Sequence, residues 1–247
     1  MKIITTLLCA AGIMAAASAP TWGEGRVTIY GPGSDHSQVL DQVKDLRQLV
    51  ADPAFGPYQP GMVIAVPAAT RKAQQDKQQT LSRLQAWAAS EDGERAAAIR
   101  LVVNQLSPLK VTGRQFASLD PDFVKNNDKA NRVLSGEYAL YQASAPGSVL
   151  LLGPVSGAGK LVWQPGRQVS EYLSGHDYLA GAEHSQVTVI DPDGVVRVAP
   201  VDYWNRRHVE PQPGSIILVG FSSWALPGDG DDLNQQIITL LTHRIPD

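Results

Sequence analysis

Hydrophobic and polar positions along the chain change period repeatedly, and each change marks a short element. Arg26-Val27-Thr28-Ile29-Tyr30 alternates and is rich in β-formers, which predicts a strand closed by Gly31-Pro32-Gly33. Ser34-Asp35 then stand where a helix cap would, ahead of Val39, Leu40, Val43, Leu46, Leu49 and Val50. That spacing is one face at a period of 3.6 and predicts a helix ending before Pro53. Residues 56–61 are a Gly/Pro loop, and 62–66 form a short apolar strand.

Residues 70–106 change character. Leu81, Leu84, Trp87 and Ala88 make one stripe and Ile99, Val102, Val103 and Leu106 another, on either side of Ser90-Glu91-Asp92-Gly93. This predicts a helical hairpin inserted between strands. Residues 109–116 return to a strand pattern centred on Gly113-Arg114. Leu119-Asp120-Pro121-Asp122 is a turn placed to cap a short helix through Phe123 and Val124, and Gly136 to Tyr141 is a turn and strand.

A second unit opens with the strand Val149-Leu150-Leu151-Leu152-Gly153 and continues with Leu161-Val162-Trp163. A short helix over 169–173 follows. Residues 185–190 and 195–201 then form a hairpin across Asp191-Pro192-Asp193-Gly194, a strong turn signal. Gly214-Ser215-Ile216-Ile217-Leu218-Val219 closes this unit as Gly136-Glu137-Tyr138-Ala139-Leu140-Tyr141 closes the first. Last comes an amphipathic helix from Leu233 to about Arg244, capped by Asp229 or Asp231, with Leu233, Ile237, Leu240 and Leu241 on one face.

The start of the chain is a processing signal. Lys2, a nearly continuous apolar run over 3–17 and small residues to Ala19 make the three-part pattern of a secretory leader, which we place at residues 1–23. About 15 apolar residues fall short of the roughly 20 that span a bilayer. Cys9, the single cysteine, leaves with this segment, so the mature chain forms no disulfide. Removing Lys2 takes 21 basic residues to 20 against 24 acidic ones, a net charge of −4. That argues against a nucleic-acid binder. Hydrophobic residues at 43% and charged ones at 18% indicate a folded chain, and the 22 Gly and 17 Pro fit many short elements joined by turns. Cleavage in a Gram-negative cell would leave the protein in the periplasm.

The second unit resembles the β-grasp domains of outer-membrane polysaccharide export proteins. The resemblance rests on Gly153-Pro154-Val155, Gln164-Pro165-Gly166, the helix over 169–173, Leu179-Ala180-Gly181-Ala182, the 187–198 hairpin and Pro213-Gly214-Ser215. Ser215 stands where those proteins usually carry Asp, and Leu179-Ala180-Gly181 where they have a glycine pair. With the first unit, insertion and tail included, the chain resembles the GfcC family of capsule biosynthesis proteins. The resemblance implies an α+β chain of two tandem β-grasp domains, at 24–145 and 146–226. It also implies a helical hairpin at about 70–106 in the first domain and an amphipathic helix in 227–247. In the export proteins a similar tail enters an outer-membrane helical barrel. Here self-association or contact with an outer-membrane partner competes with packing of its apolar face on its own chain, and its few basic groups favour packing.

Chemical motifs are sparse. Gly153 to Lys160 lacks the glycine spacing of a phosphate loop and has Leu161 where Ser or Thr belongs. There is no Gly-x-Ser-x-Gly elbow. His36, His176, His184, His208 and His243 have no ligand spacing on a predicted helix, so neither a metal nor a cofactor is expected. Asp120 with Asp122, and Asp191 with Asp193, could pair as glycosidase carboxylates. Asp-Pro-Asp is more often a turn or cap.

Arg114 stands out, because a cation inside a strand pattern is costly to bury unless paired. It either pairs with Asp120 or Asp122 or faces a ligand carboxylate, which guanidinium binds bidentately. Tyr203 and Trp204, beside Arg206-Arg207, are candidates for a sugar-stacking surface, whereas Trp163 reads as core. The candidate ligand-binding residues are therefore Arg114, Asp120, Asp122, Tyr203 and Trp204, with no catalytic residue assigned. The leading expectation is a non-enzymatic periplasmic protein for assembly or export of a capsular polysaccharide, contacting the polymer or its export machinery. The alternative is a periplasmic polysaccharide-modifying enzyme with a cleft around Arg114.

Overall fold

In the computed structural model, residues 24–33, 36–228 and 232–245 are described. The expected leader at 1–23 and the caps assigned to Ser34-Asp35 and to Asp229 or Asp231 lie outside these residues. The first unit contains β1 (Gly25–Tyr30), β2 (Ser37–Val43), α1 (Leu46–Ala51), β3 (Val63–Ala65), α2 (Pro67–Ser90), α3 (Gly93–Leu106), α4 (Pro121–Asn126) and β4 (Gly136–Tyr141). The second contains β5 (Ser148–Leu152), β6 (Gly159–Val162), α5 (Val169–Leu173), β7 (Gln186–Ile190), β8 (Val196–Pro200) and β9 (Ile216–Leu218), and α6 (Leu233–Thr242) follows.

The sheets run β2-β1-β4-β3 and β6-β5-β9-β7-β8. In each, the first strand lies antiparallel to the second and parallel to the last, as β1 does to β4 and β5 to β9. This is the β-grasp arrangement twice over in an α+β chain. The matched glycine-led segments at 136–141 and 214–219 supply those two central parallel strands.

The helix expected over 39–50 is a correction. Its first half is the edge strand β2, paired to β1, and only Leu46–Ala51 is helical. Val39 is exposed while Val43 is buried, and Asp45 caps α1 by accepting from the Gln48 N–H at 2.8 Å. An edge strand with one covered end has no strict alternation, so its apolar residues fell by chance into a helical period. Residues 109–116 are likewise not a continuous strand. They make isolated bridges, Ala65 with Arg114 and Val111 with Arg244, and turn tightly where the Arg114 N–H donates to the Thr112 carbonyl at 2.8 Å.

Side-chain alternation puts the second sheet between two helical layers. Val149, Leu151, Val189 and Ile217 face α5, whose Tyr172 and Leu173 close one core. Their neighbours Leu152, Ile190, Ile216 and Leu218 face the opposite way, onto α2, α3 and α6. The hairpin inserted in the first unit thus completes the core of the second. The apolar face of α6, with Leu233, Ile237, Leu240 and Leu241, is buried in that same core. Its cap is Asp232, which accepts from the Gln235 N–H at 3.2 Å. A separate core under the first sheet gathers Val27, Ile29, Leu46, Leu49, Phe55, Ile64 and Leu140. Among the described residues, no helix is long and apolar enough to cross a membrane.

Candidate functional site at the junction of the two units

Residues 110–114 meet three elements at once. The Thr112 N–H donates to the His243 carbonyl at 2.9 Å, and the Ile245 N–H donates to the Lys110 carbonyl at 2.8 Å. The tail is therefore laced to the segment that follows the helical hairpin. On the other side Gly113 lies against the start of α2, where a Cβ would come within 2.6 Å of Ala69 and the Thr70 nitrogen. Only glycine allows this approach, and the Gly113 N–H donates to Thr70 Oγ1 at 3.0 Å.

This seating aims Arg114 into the junction. Its Nη2 donates to the Pro192 carbonyl at 2.7 Å and its Nη1 to the Thr242 carbonyl at 3.3 Å. Thr242 ends α6, where the helix dipole presents partial negative charge to a cation. The guanidinium also lies 5.5 Å from the centre of the Phe116 ring, which packs edge-on to His243. Burial pulls the Arg114 pKa down to about 10; Asp193 opposes that shift and nearby Arg244 adds to it. The expected pairing with Asp120 or Asp122 gives way to carbonyls contributed by the second unit and the tail.

A cavity of about 490 Å³ beside Arg114 is lined by Tyr58, Phe116, Asp120 and Asp193 among others. Asp120 caps α4, accepting from the Asp122 and Phe123 N–H groups at 2.9 and 3.2 Å. Burial raises the Tyr58 pKa, and the negative charges of Asp120 and Asp193 raise it further. Asp122 is exposed on the first turn of α4 and does not line this cavity. Asp191 is buried and held bidentately by Arg197, both distances 2.8 Å, while Asp193 accepts from the Val195 N–H at 3.0 Å. The Asp-Pro-Asp-Gly segment is thus a braced turn whose carboxylates are already engaged.

Tyr203 and Trp204 sit apart from this junction, on the loop after β8, and line none of the cavities that Arg114 lines. They are 89% and 72% exposed, a degree that suits contact with something outside the chain. Asp202 organises both, accepting from the Tyr203 N–H at 2.7 Å and from Trp204 Nε1 at 3.0 Å. Trp163 is partly buried and donates to the Pro211 carbonyl, as a core residue with a polar handle does. Among the described residues, no cluster of His, Cys, Asp or Glu could hold a metal ion.

Sequence reasoning singled out Arg114 and Asp120 and weighed Asp193 only as a partner of Asp191; it missed Tyr58 and the two carbonyls on Arg114. Those carbonyls stand 78 and 128 residues from it along the chain, beyond the reach of any local pattern.

Two family models match the chain. Residues 23–145 match the one described as capsule biosynthesis GfcC, N-terminal, and 157–246 the one described as capsule biosynthesis GfcC C-terminal. The chain is also 39% identical over 235 residues to the uncharacterized protein YjbG of Escherichia coli (strain K12), covering 95% of this chain and 96% of that protein.

Proposed function

Since the chain belongs to the capsule biosynthesis GfcC family, we propose that it is an exported, non-enzymatic protein of the periplasm. In this reading it is required to assemble or export a capsular polysaccharide and acts by contacting the polymer or its export machinery. The family's capsule-related role is the observation that carries the proposal.

The geometry supports a contact role over a catalytic one. Asp120, Asp191 and Asp193, which line cavities beside Arg114, are committed to a helix cap, an ion pair and a turn. A general acid or base needs a carboxyl free to exchange a proton with substrate. Exposed Tyr203 and Trp204 offer flat apolar faces of the kind that sugar rings stack on, and Arg114 ties the units and tail into one body that can present them.

The test is a strain lacking this gene, assayed for surface capsule against intracellular polymer. Loss of surface polymer is expected, restored by the wild-type chain and weakened with Tyr203→Ala/Trp204→Ala. Normal surface capsule in the deletion strain would sink the proposal. Shortened or chemically altered polymer would turn it toward a modifying enzyme.

A further inference from the structure

A second cleft opens on another side of the junction. Its volume is about 620 Å³, within the roughly 300–1,000 Å³ of small-molecule sites. Tyr30 and Tyr141 are the last register partners of the parallel pair β1–β4, and both line this cleft. Their rings stack with centres 5.1 Å apart and planes 14° from parallel.

Three basic residues, Lys110, Lys160 and Arg244, also line the cleft. The bridge between Val111 and Arg244, with the hydrogen bond from the Ile245 N–H to the Lys110 carbonyl, brings the 110–111 and 244–245 segments together at the cleft, where Lys110 and Arg244 are both lining residues. Lys160 comes from β6, opposite Leu150 of β5. Among the described residues lining the cleft there is no Asp or Glu. Lys160 also makes an interaction within the protein, as does Arg244. Among the described lining residues basic groups outnumber acidic ones, in a chain whose net charge is acidic.

We propose that this cleft binds a carboxylate-bearing saccharide segment, with the sugar face against the Tyr30–Tyr141 stack and its acid toward Lys110, Lys160 and Arg244. This rests on the glycan-contact reading above and gives it a place and a ligand class. Tyrosine pairs an apolar ring with a polar tip, which matches a sugar's apolar face and hydroxyl rim. Guanidinium and ammonium groups lining one cleft favour a carboxylate over a neutral ring.

Calorimetric titration of the purified protein with tetragalacturonate, against neutral maltotetraose, tests it. Galacturonate should bind at least tenfold more tightly than maltotetraose, and more weakly as salt is raised (tenfold is an order-of-magnitude expectation, about what one charged pair supplies). The exposed-side-chain variant Lys110→Ala/Lys160→Ala should melt as wild type does yet lose most of that binding. Tyr141→Phe should retain binding, and Tyr141→Leu should weaken it. Equal affinity for maltotetraose, undiminished binding by the double lysine variant, or complete displacement by equimolar inorganic phosphate would overturn the proposal. Capsule assays separate the two readings. A deletion strain without surface capsule, fully rescued by the double lysine variant, would reject this cleft and leave the proposed function standing. Cleft binding with normal capsule in the deletion strain would do the reverse.

Discussion

Shortening Ile237 to alanine probes whether the amphipathic tail belongs to the chain's own core. Ile237 lies mid-way along α6, is 2% exposed and shares its core with the inserted hairpin and the second sheet. Core Ile-to-Ala changes cost about 2–5 kcal/mol, and Ile-to-Val about 0.5–1.5, because methylenes are lost and a cavity is left. A value of about 3 kcal/mol is expected here, since α6 is held at both ends. The Asp232 cap fixes its start, and the 243–245 pairing with 110–112 fixes its finish. For a chain of this size each kcal/mol moves the midpoint by about 2–4 °C, so Ile237→Ala should melt about 6–12 °C below the parent. Ile237→Val should fall between them. Gln235→Ala, on the exposed face, should change stability by less than about 0.5 kcal/mol. The assay is thermal unfolding followed by circular dichroism on protein shown by light scattering to be unchanged in mass. If Ile237→Ala melts within 1 °C of the parent and instead alters self-association, the apolar face of α6 serves a partner and the packing argument fails.

Three further outcomes follow. Gly113→Ala places a Cβ within 2.6 Å of the Ala69–Thr70 backbone, so it should destabilise by about 1–3 kcal/mol in urea unfolding; a neutral result would mean that the junction is loosely packed. Asp191→Asn removes the charge that Arg197 grips and that Ser215 Oγ donates to at 3.0 Å, and should cost about 2–4 kcal/mol, less than a fully buried pair because Arg197 is partly exposed. Asp45→Ala should cost about 1 kcal/mol at neutral pH through loss of the α1 cap. The Gln48 N–H holds the Asp45 pKa below its usual 3.8, so the wild-type advantage is present above that value and vanishes as the pH falls through the lowered one; a difference that persists at pH 2 would contradict the capping role.

The second unit was readable because its strands are central and buried, so Val149 to Gly153 and Ile216 to Val219 announce themselves as apolar runs after glycine turns. The hairpin at α2 and α3 was readable from its two apolar stripes, though not that it would cover the neighbouring unit, because amphipathicity says a face is buried and not against what. β2 was misread because an edge strand half in water carries no firm period. At the junction, Arg114 was conspicuous as a cation in an apolar pattern. Its partners are main-chain carbonyls, which every residue carries and which no sequence pattern marks. The Tyr30–Tyr141 pair was hidden for a related reason. Two tyrosines 111 positions apart become neighbours only once β1 and β4 are known to run parallel in register.

The closure of residues 110–112 by 243–245 has a consequence for how the molecule comes into being. The core shared by α2, α3, the second sheet and α6 takes four large side chains, Leu233, Ile237, Leu240 and Leu241, from α6. Until these arrive, the core that Leu84, Trp87 and Ile99 help to form is incompletely covered. A chain cut short before residue 233 would display that surface to proteases and chaperones, however well its earlier strands had paired. Contacts of such sequence separation form late and slowly. Docking of α6 is therefore expected late in folding, onto a surface that earlier elements have already built.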